Sequence, residues 1–348
     1  MVKILAKPYR LKYNPYTRLY YDALVAHYDE IKVIPYNFLN LFRKVDIFHI
    51  HWPESLLNEK KTLKKLFKLI KFFLILYYMK FRNVKILWTA HNFKPHSRNS
   101  SYVVENIFYK KWLSFIDGIL FLSYASQEEF INNYTQNNIS SKVIPHGHYI
   151  DFYLSKSPTN YLKDFLKINS SDFVIGHYGL IKRYKNIVLL LKEFRKIKDP
   201  NIKLIIGGKI GNNEKKLHDD ICKYAERDKR VILYEKFIPD SELIELHSFT
   251  NLCVYPYSDI VNSGSIINSL SLGCRVLAPR NKYLSELRDN LSEKNLFLYD
   301  DQFSAKYIER FLNKNNNRFS NPRKNLASYE WEISSALSKD FIYHLLNK

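Results

Sequence analysis

Short apolar runs alternate with longer amphipathic segments along this chain, and the alternation occurs twice. In the first stretch, apolar runs over residues 2–5, 31–35, 45–51, 84–89, 118–123 and 142–145 predict buried strands, because they are short and end at polar or turn residues. Between them, helical spacing predicts helices at about 18–28, 63–80 and 103–115, and another starting near 126. Residues 151–171 are polar, are broken by Pro158, and read as a connector. The pattern then restarts with strands at 173–177, 203–206, 231–234, 252–255 and 276–278. Helices are predicted at about 187–197 and 241–248, between residue 265 and Gly273, and at 327–346. The stretch 313–325, rich in Asn, Lys and Arg, reads as a surface loop. Strands alternating with helices predict α/β architecture with parallel, doubly wound sheets. Right-handed crossovers then gather the loops at one sheet edge. The 348 residues suit two such domains, with a cleft between them.

Five loops at predicted strand ends carry candidate chemistry. In the segment Tyr257 to Pro279, YSDIVNSGSIINSLSLGCRVLAP, the residues Asn262, Ser263, Gly264 and Ser265 precede a helix. A serine can cap it, and free backbone N–H groups there form an anion site; the alternative is a plain cap. In Gly176 to Asn186, GHYGLIKRYKN, Gly179 permits close backbone approach, and Lys182, Arg183 and Lys185 follow before a helix. That suits a pyrophosphate clamp, or else a solvated basic turn. The segment is neither a Walker A loop nor G-x-G-x-x-G, which disfavours ATP hydrolysis and dinucleotide binding. In DIFHIHWPE, period-two alternation puts His49 and His51 on one strand face, with Trp52 and Glu54 beyond it. They suit a polar ligand, or are core histidines. In WTAHNFKPH, His91 can act as a general base or hydrogen-bond a developing charge, with Asn92 and His96 beside it; a turn cluster is the alternative. In PHGHY, His146 stands beside a glycine that suits a hinge loop or a plain turn.

Charge and composition narrow the partners. A formal net charge of +20 predicts attraction to polyanions: nucleic acid, anionic lipid or a phosphorylated substrate. No nucleic-acid module is recognisable. The three cysteines, Cys222, Cys253 and Cys274, have neither zinc nor disulfide spacing. The N-terminus lacks the apolar run of a signal peptide, and the longest apolar run, Phe72 to Met79, is far short of the ~20 residues of a membrane span. The expectation is a cytoplasmic protein. Lysines mixed with Leu, Ile and Phe over 63–80 predict docking on an anionic inner leaflet, or an ordinary crossover helix with an apolar core face.

Taken in order, these segments resemble bacterial glycosyltransferases of the GT-B fold, family 4-like, over nearly the whole chain. FHIHWPE resembles the H-x-H strand end of that family, and WTAHNFKPH its T-x-H segment, whose histidine lies near the transferred sugar. HYGLIKRYKN is similar to the G-R-x-x-x-x-K-G element that holds the donor diphosphate; Leu180 replaces its arginine, so Lys182 or Arg183 would substitute. The segment from Tyr257 resembles the E-x7-E element, with Ile260 and Asn268 in place of the two glutamates. The helix after Trp331 is similar to the family's last helix, which crosses back to the first domain.

The resemblance implies two Rossmann-like domains, 1–165 with 327–348, and 166–326, facing a cleft. It implies transfer of a sugar from a nucleotide-diphosphate sugar to a hydroxyl of a lipid-linked glycan, in capsule, exopolysaccharide or O-antigen synthesis. No D-x-D motif is present, so no metal or other cofactor is expected. By the same match His91 and Glu54 are the catalytic candidates. The donor would meet Gly179, Lys182, Arg183, Lys185, Tyr257, Asn262, Ser263, Gly264 and Ser265. The acceptor would meet His49, His51, Trp52, Asn92, His96 and His146. Alternatives are a sugar-nucleotide epimerase of the same fold and a non-catalytic, basic nucleic-acid-binding protein.

Overall fold

A computed structural model describes residues 1–91, 102–134, 139–211, 214–258, 263–291, 295–313 and 321–348. It divides into two compact units, Met1–Gly147 with Tyr329–Lys348, and His148–Ser328. The first unit contains strands β1 (Val2–Lys7), β2 (Ile31–Pro35), β3 (Ile47–His51), β4 (Lys85–Ala90), β5 (Gly118–Phe121) and β6 (Ser140–Val143). Its helices are α1 (Tyr16–His27), α2 (Thr62–Phe81), α3 (Tyr102–Leu113), α4 (Tyr124–Asn133) and, from the chain's end, Trp331–Leu346. All strand pairs are parallel, in the order β2-β1-β3-β4-β5-β6.

The second unit opens with two short helices, α5 (Ile150–Leu154) and α6 (Leu162–Phe165). It continues with β7 (Phe173–Tyr178), α7 (Ile187–Phe194), β8 (Ile202–Gly207), α8 (Lys215–Ala225), β9 (Val231–Tyr234), α9 (Asp240–Phe249) and β10 (Leu252–Val254). It closes with α10 (Gly264–Ser271), β11 (Arg275–Pro279), α11 (Lys282–Asp289), β12 (Leu296–Tyr299), α12 (Ala305–Leu312) and α13 (Pro322–Asn325), before the last helix of the chain, α14 (Trp331–Leu346). Its sheet is also parallel, in the order β12-β11-β10-β7-β8-β9. In each sheet the chain starts inside and reverses direction once, between β1 and β3 and between β7 and β10. Open α/β sheets bind ligands beyond the carboxyl ends of the strands at such a switch point.

Packing explains why the elements form. In α7, Ile187, Leu190, Leu191 and Phe194 recur at helical spacing and are all fully buried, in the same core as Ile175, Leu204 and Ile206 of the sheet. Phe341, Ile342 and Leu345 of α14 are buried in one cluster with Tyr20, Tyr21 and Leu24 of α1. Residues 148–165, expected at the tail of the first domain, belong to the second unit. The Glu245 carboxylate on α9 accepts from the Leu162 backbone N at 2.7 Å and also from Thr159 Oγ1, which ties that stretch to α9. The stretch expected to be a connector therefore carries α5 and α6. Helices α8 and α11 escape the apolar pattern because only Leu217 with Ile221, and Leu284 with Leu287, are buried in them. The expected loop at 313–325 includes the turn α13, capped by Asn321.

Candidate active site

In the second unit the switch point lies beyond β7 and β10. Gly179 follows β7 with φ +117°, and Gly208 follows β8 with φ +151°. A side chain on Gly208 would collide with the Gly179 carbonyl, so two glycines let these strand ends approach. The next turn, Arg183–Lys185, is tied to the end of β10: Asn186 Nδ2 donates to the Pro256 carbonyl at 3.0 Å, and Ser258 N to the Tyr184 carbonyl at 2.9 Å.

The three cations of this turn diverge. Arg183 is exposed and paired with Glu214 at 3.0 Å. Lys185 points inward and is 4% exposed. A side chain on Gly179 would begin 3.2 Å from both Lys185 Nζ and Ser265 Oγ, so ammonium, hydroxyl and glycine backbone converge. The ammonium also lies 5.3 Å from the centre of the Tyr257 ring. Among the described residues no carboxylate pairs with it. Burial, and then the charge of Lys182, push its pKa down to about 7. Lys182 is half-buried and is the second cation left near it.

Helix α10 faces the same convergence. Ser263 caps it, accepting from the Ile266 backbone N at 3.4 Å, as one of the two expected serines. Gly264 opens it with nothing within 4 Å of where a side chain would start. Helix-start N–H groups beside an ammonium that no described carboxylate pairs make an anion site. One turn further, Asn268 Oδ1 is buried without a hydrogen-bond partner. Sequence reading marked Asn268 only as a replaced glutamate; its placement four residues after Gly264 was the available signal, since such residues share a helix face. Asn262 lies outside the described residues.

In the first unit the corresponding position holds a cluster of rings beyond β1 and β3. Period-two alternation brings His49 and His51 to one face, and Tyr21 of α1 bridges them. Its Oη lies 3.0 Å from His49 Nδ1 and 2.9 Å from His51 Nε2. His49 Nε2 meets Thr89 Oγ1 at 2.8 Å, and His51 Nδ1 meets His91 Nε2 at 3.0 Å. His91 stacks on Trp52 at 4.1 Å and meets the edge of Tyr16 at 4.7 Å. His146 packs on Tyr16 at 4.7 Å and bonds the Gly147 carbonyl through Nδ1 at 2.9 Å. His49 is 0% exposed with both ring nitrogens engaged, and Tyr21 links it to His51.

Burial dominates the ionisation of this cluster. It lowers His49 to about 3 and His146 to about 4, and takes His51 and His91 well below the ordinary histidine value. All four imidazoles are neutral near pH 7. Glu54 is buried on the turn Pro53–Asn58, directly after Trp52, whose backbone is left-handed at φ 50°. Asn92 and His96 lie outside the described residues. Among the described residues, one group has metal-holding proximity, His218, Cys222 and Glu235, and none of these is a predicted site residue.

Residues 160–329 match the family Glycosyl transferases group 1. The chain is 25% identical over 327 residues to the GDP-mannose:glycolipid 4-beta-D-mannosyltransferase of Xanthomonas campestris pv. campestris, covering 91% of this chain and 84% of that protein. Its fold is similar to sucrose-phosphate synthase from Thermosynechococcus elongatus, with TM-score 0.72, 15% identity and 100% of both chains covered. It is also similar to Anabaena Alr3699/HepE in complex with UDP-glucose, with TM-score 0.61 and 16% identity over 100% of this chain and 98% of that one. Residues 160–329 are a glycosyl transferases group 1 domain, and the two parallel six-stranded sheets have the GT-B fold.

Proposed function

We propose that this enzyme moves a hexosyl group from a nucleoside-diphosphate sugar to a hydroxyl of a lipid-linked glycan in surface-polysaccharide assembly. The observation that carries the reading is Lys185, a buried ammonium that pairs with no carboxylate among the described residues, beside Gly179, Ser265 and the α10 N-terminus. As the glycosidic bond to the donor phosphate breaks, negative charge grows on the leaving diphosphate. Lys185 is already buried beside the N–H groups of α10, with Lys182 near it, so they stabilise that charge with little reorganisation. Tyr257 walls the site. Asn268 Oδ1 supplies an acceptor for a donor hydroxyl in place of the family's glutamate. His91 is assigned to the transferred sugar, and Glu54 is the carboxylate available to take the acceptor's proton.

The glycolipid relative makes GDP-mannose the first donor to test. Thermal-shift screening of GDP-, UDP-, dTDP- and CMP-sugars identifies the donor through the stability a ligand adds. Lys185→Ala should weaken donor binding and turnover, and His91→Ala should lower turnover more than donor affinity. Unchanged activity in both variants would refute the site. An epimerase would instead release an altered sugar without any acceptor. The alternative of a non-catalytic nucleic-acid-binding protein falls with the glycosyltransferase domain.

Helix α2 supports a peripheral, lipid-facing role. Phe72, Ile75, Leu76 and Met79 face the core. Leu63, Phe67, Ile70, Leu74, Tyr77 and Phe81 recur at spacings of three and four and are all exposed, from 50% to 86%. Lys64 and Lys71 flank them, also exposed. An outward apolar stripe edged by lysines suits insertion into an anionic bilayer interface. Among the described residues no helix is long and apolar enough to cross a membrane.

A further inference from the structure

Four hydrogen bonds join five buried side chains in one line: Thr89, His49, Tyr21, His51 and His91. Thr89, His49 and Tyr21 are 0% exposed, His51 3% and His91 6%. Each neutral imidazole has one N–H and one lone pair, and each hydroxyl has one proton to give. A satisfied line must therefore place both hydroxyl protons as well as form all four bonds.

Three arrangements make all four bonds; in one of them Tyr21 Oη accepts from both His49 and His51, and its own buried proton has no acceptor. Running outward, Thr89 Oγ1–H donates to His49 Nε2, and His49 Nδ1–H donates to Tyr21 Oη. Tyr21 O–H then donates to His51 Nε2, and His51 Nδ1–H to His91 Nε2, so His91 carries its proton on Nδ1. Running inward, every bond reverses, and the Thr89 hydroxyl proton has no acceptor. The bond to His49 is the one Thr89 side-chain hydrogen bond among the described residues. A fully buried hydroxyl donor left unmet is costly, so the outward arrangement prevails. Burial keeps the imidazoles neutral, so no arrangement is disturbed by an extra proton near pH 7.

We propose that Thr89, His49, Tyr21 and His51 form a one-way relay that fixes His91 as the Nδ1–H tautomer, making it a hydrogen-bond donor rather than a base. In the transfer reaction His91 then offers an N–H to a donor-sugar or leaving-group oxygen. The acceptor's proton goes to another group, for which Glu54 is the buried carboxylate at hand. Thr89, His49, Tyr21 and His51 are positioning residues, acting through His91. The catalytic half of this inference rests on the proposed assignment of His91 to the transferred sugar; the tautomer half does not.

The test is long-range 1H–15N correlation on the full chain labelled at histidine. The expected result is that His49, His51 and His91 all carry the proton on Nδ1. A proton on Nε2 of any of the three overturns the relay, and this measurement needs no variant. Tyr21→Phe then cuts the line in the middle while keeping the ring. It should give His91 averaged tautomer shifts and lower kcat about tenfold, whereas Thr89→Ser should keep both. Averaged shifts with unchanged kcat would uphold the tautomer lock and overturn the role of His91 in transfer. His91→Asn separates donor from base, since its amide N–H can stand in for Nδ1–H but accepts no proton. Activity well above that of His91→Ala supports the donor role, and equal loss in both overturns it.

Discussion

Lys185→Met should stabilise the empty enzyme while impairing donor binding and removing its pH dependence. Methionine keeps an unbranched apolar stem and deletes the ammonium. The folded pKa of Lys185 is about 7, against 10.5 for the free side chain, and burial is the main cause. Between those values the unfolded chain binds more protons than the folded one. This group's contribution to stability therefore rises with pH from about 7 to about 10.5 and is flat on either side. At pH 7, holding this lysine costs about 4 kcal/mol, at about 1.4 kcal/mol per pKa unit. Removing it should raise the melting temperature by about 10 °C. A bound diphosphate restores the proton, so donor affinity should fall about 15-fold between pH 7 and 8.5, approaching tenfold per pH unit beyond that. The diphosphate of a nucleotide sugar has no ionisation there to mimic this. Calorimetry at pH 8 in buffers of different ionisation enthalpy should show proton uptake in the wild type and none in Lys185→Met. Affinity independent of pH in the wild type, or a variant less stable than the parent, would refute the reasoning.

Three further outcomes follow from the structure. Gly264→Val enters open space at the start of α10, so it should melt within about 2 °C of the parent yet lose about tenfold in donor affinity, read by thermal shift and calorimetry. Asn268→Ala removes a buried acceptor without a partner; the empty protein should lose almost no stability, while donor binding weakens by about 1–2 kcal/mol. Phe67→Glu with Leu74→Glu replaces two exposed positions of the α2 stripe. The pair should abolish co-sedimentation with anionic vesicles without changing the melting temperature, and retained binding would remove the bilayer from the account.

Periodic burial made most of the fold legible. The strands β3, β4, β7 and β8 are apolar almost throughout and read directly from the sequence. Strand β12 did not, because Leu296–Tyr299 is four residues long with two of its side chains only half-buried. Helix α8 did not, because charged residues surround its two buried positions. The site was legible as a set of loops but not as a set of directions. Lys182, Arg183 and Lys185 are indistinguishable in sequence, and the fold buries Lys185 while pairing Arg183 with Glu214 at the surface. The H-x-H spacing showed that His49 and His51 share a face. That Tyr21, 28 residues earlier, would join them and spend His49 internally depends on how α1 packs over the sheet.

Hexosyl transfer from a nucleotide donor held at Lys185 can be observed on the acceptor itself. The direct measurement is mass spectrometry of a lipid-linked glycan incubated with the enzyme and each of GDP-, UDP-, dTDP- and CMP-hexose. The expected product is an acceptor heavier by one hexosyl residue with one donor, and no such product from Lys185→Met. Free or altered sugar without acceptor modification, or equal product from Lys185→Met, would contradict it.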